Sequence, residues 1–272
     1  MAEILSYDFM QRAILAVIAI SVFAPILGIF LILRHQSLMS DTLSHVSLAG
    51  VALGILLGVS TTWSTVIVVT IAAVILEYLQ TVYKHYMEIS TAILMSLGLA
   101  IALIVTSKSD NRNVNLEQYL FGSIITINSG QVIALFAIAI LVLILTVLFI
   151  RPMYILTFDE ETAFVDGLPV RLMSVLFNIV TGIAIALTIP AAGALLVSTI
   201  MVLPASIAMR LGKNFKSVIF ISIIIGFIGM ITGIMASYYW ETPASATITI
   251  IFVAIFLLVN ISNLIQHRLN FR

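Results

Sequence analysis

Cysteine is absent from this chain, and charge is scarce: twelve basic and twelve acidic residues in 272. Without cysteine there is no disulfide framework and no thiolate metal site, so any metal chemistry falls to His, Asp or Glu. A soluble domain carries about 25% charged residues. At 9% charged, this chain cannot cover a water-facing surface. The two signs cancel, which excludes the basic excess that would draw a nucleic acid. No G-x-x-x-x-G-K-[ST] loop occurs, because Gly212-Lys213 is followed by Asn214 and lacks the upstream glycine. The chain therefore has no phosphate loop for ATP. No aspartyl-phosphate signature is present either, so energy for any work must come from an ion gradient or a partner subunit.

What fills the sequence is apolar: 62% of residues are hydrophobic and the mean hydropathy is +1.23. The apolar runs are long and continuous, near the roughly 20 residues a membrane helix needs. They lack the alternating segments of about ten residues that a membrane β-barrel shows. The fold class is an all-α polytopic membrane protein, read as a single transmembrane domain over residues 1–272. Spans are expected at Ala13–Leu33, Ser37–Val59, Trp63–Tyr83, Ile89–Thr106, Gln131–Ile150, Phe220–Tyr239 and Ser245–Ile265. The stretch Leu172–Met209 is too long for one helix and is divided at Ile189-Pro190-Ala191-Ala192-Gly193. That makes nine spans, or eight to ten if one segment is re-entrant. With the N-terminus outside and the C-terminus inside, nine of the twelve basic residues face the cytoplasm: Arg34, Lys84, Arg151, Arg171, Arg210, Lys213, Lys216, Arg268 and Arg272. The positive-inside rule selects that orientation. Glu3 and Asp8 stand where a cleavable signal would carry positive charge, so the first span is expected to stay.

Ionisable side chains within spans mark pathways or buried pairs. Asp41 and His45, four apart, share one face of a helix, and a rise of 1.5 Å per residue from Arg34 puts His45 about 16 Å into the membrane. A carboxylate beside a neutral imidazole suits a borderline divalent cation such as zinc; the alternative is a buried pair that pins two helices. Gly50, Gly54 and Gly58 form a small-residue stripe on the opposite face, and Gly226, Gly229 and Gly233 form another on the eighth span. Glu241, just before Thr242-Pro243, is either a metal ligand at the external mouth or a carboxylate that caps a helix end. Glu77 is expected to snorkel or pair with Lys84. His35, His85 and His267 lie at cytoplasmic edges and are read as solvated. The external loop from Ser107 to about Gly130 turns apolar at Tyr119-Leu120-Phe121-Gly122-Ser123, which suggests an interfacial or re-entrant piece. In the cytoplasmic loop, Asp159 is placed to cap a short helix that Gly167 closes and Pro169 stops. A short capped helix on that face suits docking of a soluble partner.

Taken together, the chain resembles the permease subunits of the ABC-3 zinc and manganese uptake family. The matching pieces are Ser40-Asp41-Thr42-Leu43-Ser44-His45-Val46-Ser47-Leu48-Ala49-Gly50, Tyr119 to Ser123, Asp159 to Gly167, Gly193-Ala194-Leu195-Leu196-Val197, Leu203-Pro204-Ala205 and Tyr239-Trp240-Glu241-Thr242-Pro243-Ala244. The first motif is most similar to zinc permeases of Gram-positive bacteria, since manganese members more often carry an apolar residue and Pro where Ser47 and Ala49 stand. The resemblance implies a multi-pass protein of the bacterial cell membrane, a homodimer with two cytoplasmic ATPase subunits, and an extracellular metal-binding lipoprotein. Zinc is then the transported substrate, with manganese as the other candidate ion, and no cofactor is permanently bound. It also implies that Asp41 and His45 form the intramembrane metal site and that Asp159, Glu160, Ala163 and Gly167 belong to a helix coupled to the ATPase. The fourth span carries no His where some zinc permeases have one, only Ser96. The competing class is a gradient-driven carrier in which Asp41, His45 and Glu77 relay protons.

Overall fold

The computed structural model describes residues 7–83, 86–108, 116–122 and 127–270. Among these residues all regular structure is helical: α1 (Asp8–Leu33), α2 (Leu38–Leu57), α3 (Thr61–Val82), α4 (Met87–Lys108), α5 (Leu116–Phe121), α6 (Ser129–Phe158), α7 (Glu160–Val165), α8 (Val170–Ala192), α9 (Ala194–Leu211), α10 (Phe215–Trp240) and α11 (Ala244–Asn270). Nine of them, all but α5 and α7, are long and apolar enough to cross a membrane. Their ends follow local chemistry. The Asn128 side chain accepts from the Gln131 amide while Gln131 reaches back, a capping box that starts α6. Asn214 accepts from the Ser217 amide and starts α10.

The helix α1 is the axis of the bundle: 78% of its apolar window is buried, against 22% for α6 and for α11. It packs on α6, α9 and α10, while α2 is held among α3, α4, α8 and α9. Helices in lipid gain little from hiding apolar surface and associate through close packing, and the glycines show where that occurs. A Cβ on Gly28 would lie 1.8 Å from the Met201 carbonyl oxygen, so α1 and α9 touch backbone to backbone. Gly50 and Gly54 bring α2 against Thr65 and Thr61 of α3, and Gly98 brings α4 against Val46. On α10, Gly226 faces Pro25 of α1, whereas Gly229 and Gly233 face Phe252 and Ile248 of α11.

One sequence expectation is corrected and another is sharpened. Gly58 is not a packing residue: it ends α2 with φ +66°, and an added Cβ there would meet nothing within 4 Å. The tight break expected at Ile189–Gly193 is present and falls on its last residue: α8 runs through Pro190 to Ala192, and Gly193 at φ +80° alone separates α8 from α9. Pro190 sits in the last turn, where its missing N–H removes only one bond of a helix that is about to end.

With nine crossings the helix ends alternate. Leu33, Tyr154, Phe158, Met209, Lys213 and Phe215 line one shared recess, which gathers the ends of α1, α6 and α9 and the start of α10 on one side. Arg34, Arg151, Arg171, Arg210, Lys213 and Lys216 belong to that end, which the positive-inside rule assigns to the cytoplasm. At the opposite end α5 rests on α2, α8, α9 and α11, and Gly122 at φ +67° abuts Gly193 so closely that a Cβ on either would lie within 2.4 Å of the other's backbone nitrogen. The apolar external segment is thus a helical turn laid on the bundle; Ser123, together with Lys84 and His85, lies outside the described residues.

Candidate functional site

Asp41 stands in the first turn of α2, where the helix dipole favours a carboxylate, and His45 is one turn further on. Their nearest atoms, Nε2 of His45 and Oδ1 of Asp41, are 3.8 Å apart, too far for a hydrogen bond. His45 is 18% exposed and Asp41 40%. The Nδ1 atom of His45 is buried with no hydrogen-bond partner. Around them Ser40, Thr42, Ser44 and Ser47 each donate back to a carbonyl of the same segment. Those hydroxyl protons are committed locally, which leaves the carboxylate and imidazole as the ligand-type groups of that helix. Among the described residues no third His, Asp or Glu joins them, and Ser96 is exposed on α4.

The depth of the pair differs from expectation. Residues 34–37 form a turn, so the helical rise starts at Leu38 and places His45 about 10 Å into α2. His45 therefore stands a little over a third of the way along the 20-residue helix α2, with Asp41 in its first turn.

Glu241 is at the other end. It is exposed, caps the C-terminus of α10 with φ +51°, and its amide donates to the Ser237 carbonyl. The structure does not bring it to Asp41 and His45. Glu77 gains a partner from a distant helix. Its Oε2 accepts a 2.5 Å hydrogen bond from Nδ2 of Asn178 on α8, and it lies in the electrostatic field of Arg34.

Arg34, read from the sequence only as an orientation charge, proves to be a structural hub. One arm, Nη2, donates to Ser174 Oγ at 2.6 Å, the guanidinium sits 5.3 Å from the centre of the Phe177 ring, and the other arm, Nη1, is buried without a partner. Beside it Gln36 donates to Gln80 at 2.9 Å. The available sequence signal was the spacing of Ser174, Asn178 and Thr181, which stack on one face of α8, and of Glu77 and Gln80 on α3.

The short helix α7 has both ends defined. Asp159 caps it, accepting from the Thr162 hydroxyl and, at 2.9 Å, from the Thr162 amide. Those two hydrogen bonds, the hydroxyl's foremost, hold its carboxyl below the usual range. At the far end Leu168 N–H bonds to Ala163 O and Gly167 N–H to Phe164 O, with Gly167 at φ +78°. This is the Schellman pattern, and it requires a residue that tolerates positive φ at position 167. Within α7, Ala163 is the residue that seats the helix on the bundle: it is fully buried with Leu156 and Met173. Beside the exposed Glu160, Glu161 and Thr162, the apolar side chains α7 presents outward are Phe164 and Val165, 75% and 83% exposed. Sequence reading missed them because the face of a single six-residue turn is set by what lies beneath it.

Comparison with known proteins follows this architecture. The chain is 28% identical over 252 residues to the high-affinity zinc uptake system membrane protein ZnuB of Haemophilus influenzae, covering 93% of this chain and 97% of that one. It is 26% identical over 256 residues to the manganese transport system membrane protein MntC of Halalkalibacterium halodurans, covering 94% and 88%. Among solved structures it is similar to PsaBC from Streptococcus pneumoniae in complex with Fab, at a TM-score of 0.84 and 26% identity, covering 95% of this chain and 93% of that one. The ABC 3 transport family matches residues 6–263; the chain is a multi-pass membrane protein that belongs to this family of transporters.

Proposed function

We propose that the chain is the membrane-spanning permease subunit of an ATP-driven importer of a divalent metal, with zinc as the substrate. The observation that carries the reading is the Asp41–His45 pair: a carboxylate and an imidazole one turn apart, not bonded to each other, on a helix whose hydroxyls are otherwise satisfied. One nitrogen and one carboxylate suit zinc, whereas a site richer in oxygen would suit manganese. Two ligands per protomer hold an ion weakly enough to release it, as transport requires. A homodimer would bring two such pairs to a common pathway, and an extracellular binding lipoprotein would deliver the ion.

ATP hydrolysis then belongs to a separate cytoplasmic subunit, since the chain has no phosphate loop. The helix α7 is its docking element, because Phe164 and Val165 offer apolar contact on a capped, rigid turn at the basic end of the bundle. That exposed pair favours the ATP-driven reading over a gradient-driven carrier, which needs no such surface.

The test is uptake by proteoliposomes containing the permease and its ATPase. Wild type is expected to accumulate zinc only with ATP, and manganese is expected to compete weakly. His45→Ala is expected to reduce uptake to background while still assembling with the ATPase. Normal uptake by that variant would sink the assignment, and transport driven by a proton gradient alone would favour the carrier.

A further inference from the structure

At the cytoplasmic end of the bundle α6 and α10 both pack on α1, and they meet each other through Tyr154 and Phe215, whose rings stand edge to face 5.2 Å apart. Around that contact lies a recess of about 230 Å³. Ile29 and Leu33 of α1 give it an apolar floor, Tyr154 and Phe158 line it from α6, and Lys213 and Phe215 line it from the α9–α10 junction.

The level of the recess in the membrane follows from α6. The uncharged apolar run Val132–Ile150 of that helix is about 28 Å long at 1.5 Å per residue, close to the roughly 30 Å of hydrocarbon it must cross. Arg151 therefore stands at the cytoplasmic boundary, and the two turns after it carry Tyr154 and Phe158 at headgroup depth. Arg151, Tyr154 and Phe158 follow at spacings of three and four, so they share one face of the helix. Arg151 and Lys213 are exposed, and among the described residues neither has a hydrogen-bond or ion-pair partner. Asp159, the acid next to Phe158, commits its carboxylate to Thr162 and leaves both cations unmatched. Phosphate matches such a pair, since it takes parallel N–H bonds from a guanidinium and a point contact from an ammonium. A free phosphate would leave Ile29 and Leu33 uncovered, whereas a phospholipid brings an apolar chain to the same place. Basic clusters on the cytoplasmic side of membrane helices draw anionic headgroups for this reason.

We infer that this recess binds one anionic phospholipid of the cytoplasmic leaflet, with its phosphate between Arg151 and Lys213 and the upper part of an acyl chain over Ile29 and Leu33. The lipid bridges α6 and α10 on the surface of α1. The site is separate from the Asp41–His45 pair and does not depend on which ion is carried or on what drives transport.

The test is lipid retention by the full-length permease, measured by native mass spectrometry after exchange into phosphatidylglycerol or phosphatidylcholine of the same acyl chains. Wild type is expected to retain one phosphatidylglycerol per chain and roughly tenfold less phosphatidylcholine. Arg151→Gln combined with Lys213→Gln is expected to abolish that preference, and both side chains are exposed, so the fold is not at stake. Leu33→Trp fills the floor and keeps the charges, and it is expected to lower retention of both lipids. Arg171→Gln removes an exposed charge on α8, which does not line the recess, and is expected to change nothing. Equal retention of the two lipids by wild type, full retention in either recess variant, or an equal loss in Arg171→Gln would overturn the inference. Release of the lipid by millimolar inorganic phosphate would also overturn it, in favour of a simple anion site. Loss of the lipid on adding a cytoplasmic ATPase subunit would overturn it in favour of a protein-docking surface.

Discussion

At the Gly193 end of the bundle, α5 meets the α8–α9 break through backbone alone, with Gly122 and Gly193 so close that neither position has room for a methyl group. At the Arg34 end the helices meet through side chains: Arg34 with Ser174, Glu77 with Asn178, and Gln36 with Gln80. The first closure depends on shape and is indifferent to charge. The second depends on charge and hydrogen bonding, and it leaves Arg34 Nη1, Gln36 Oε1, Gln80 Nε2 and Asn178 Oδ1 without partners. A closure built from packed backbone is stiff and has one arrangement, whereas a polar cluster with unmatched groups can rearrange to match them. Under the proposed ATP-driven function, the adaptable closure is on the side where the energy would arrive.

Volume should break the first end. Gly193→Ala puts a Cβ within 2.4 Å of the backbone of Phe121 and Gly122 at a φ of +80°. Overpacking and the left-handed penalty together predict a loss of roughly 2–5 kcal/mol. The measurement is thermal unfolding in detergent, and a variant as stable as wild type would show that α5 can lift away without effect.

Charge and hydrogen bonding should break the second end, by less. Asn178 is fully buried, and its amide is the donor to Glu77. Asn178→Leu keeps the volume and removes the donor, with an expected loss of roughly 1–3 kcal/mol. Combining it with Glu77→Leu should recover part of that loss, because the carboxylate that lacked a donor is then gone as well. Additive losses in the double variant would mean that the two side chains do not act as a pair.

The two ends also differ in how far the sequence exposes them. Residues that depend on their own neighbours in the chain were legible: the spans follow from apolar length, α7 from Asp159 and Gly167, and the shared face of Asp41 and His45 from helical spacing. Residues that depend on another helix were not. Glu77 was expected to snorkel or to pair with Lys84, which lies outside the described residues, and nothing nearby in sequence pointed to its donor Asn178, 101 positions away. Gly28 gave no sign of its approach to Met201, because a lone glycine makes no stripe. Gly58 continued a four-residue period past the end of the helix, where periodicity no longer describes a face. The positive-inside rule counted Arg34 as a charge on one side of a membrane and says nothing of its hydrogen bond to Ser174 or its place over the Phe177 ring.

The smallest effect is expected at α7, which lies on the polar end yet is held by its own caps. Asp159 is exposed and stabilises the helix by accepting from Thr162, so Asp159→Asn, which retains a capping oxygen, is expected to transport nearly as wild type. Asp159→Ala removes the acceptor and is expected to lower metal transported per ATP by only about two- to threefold, because a solvent-facing cap contributes little. The pH response has a definite sign. The carboxyl is held below its usual range in the folded protein, so its contribution is complete above the ordinary carboxylate value and is lost as pH falls through the lowered one. Coupling in wild type should therefore be insensitive to this group near neutrality and weaken only on strong acidification, while Asp159→Asn should not show that acid-side step. If the Asn variant were as impaired as Ala, the charge of Asp159 would matter more than its cap, and α7 would have to be grouped with the electrostatic cluster at Arg34 instead of with the locally determined parts of the fold.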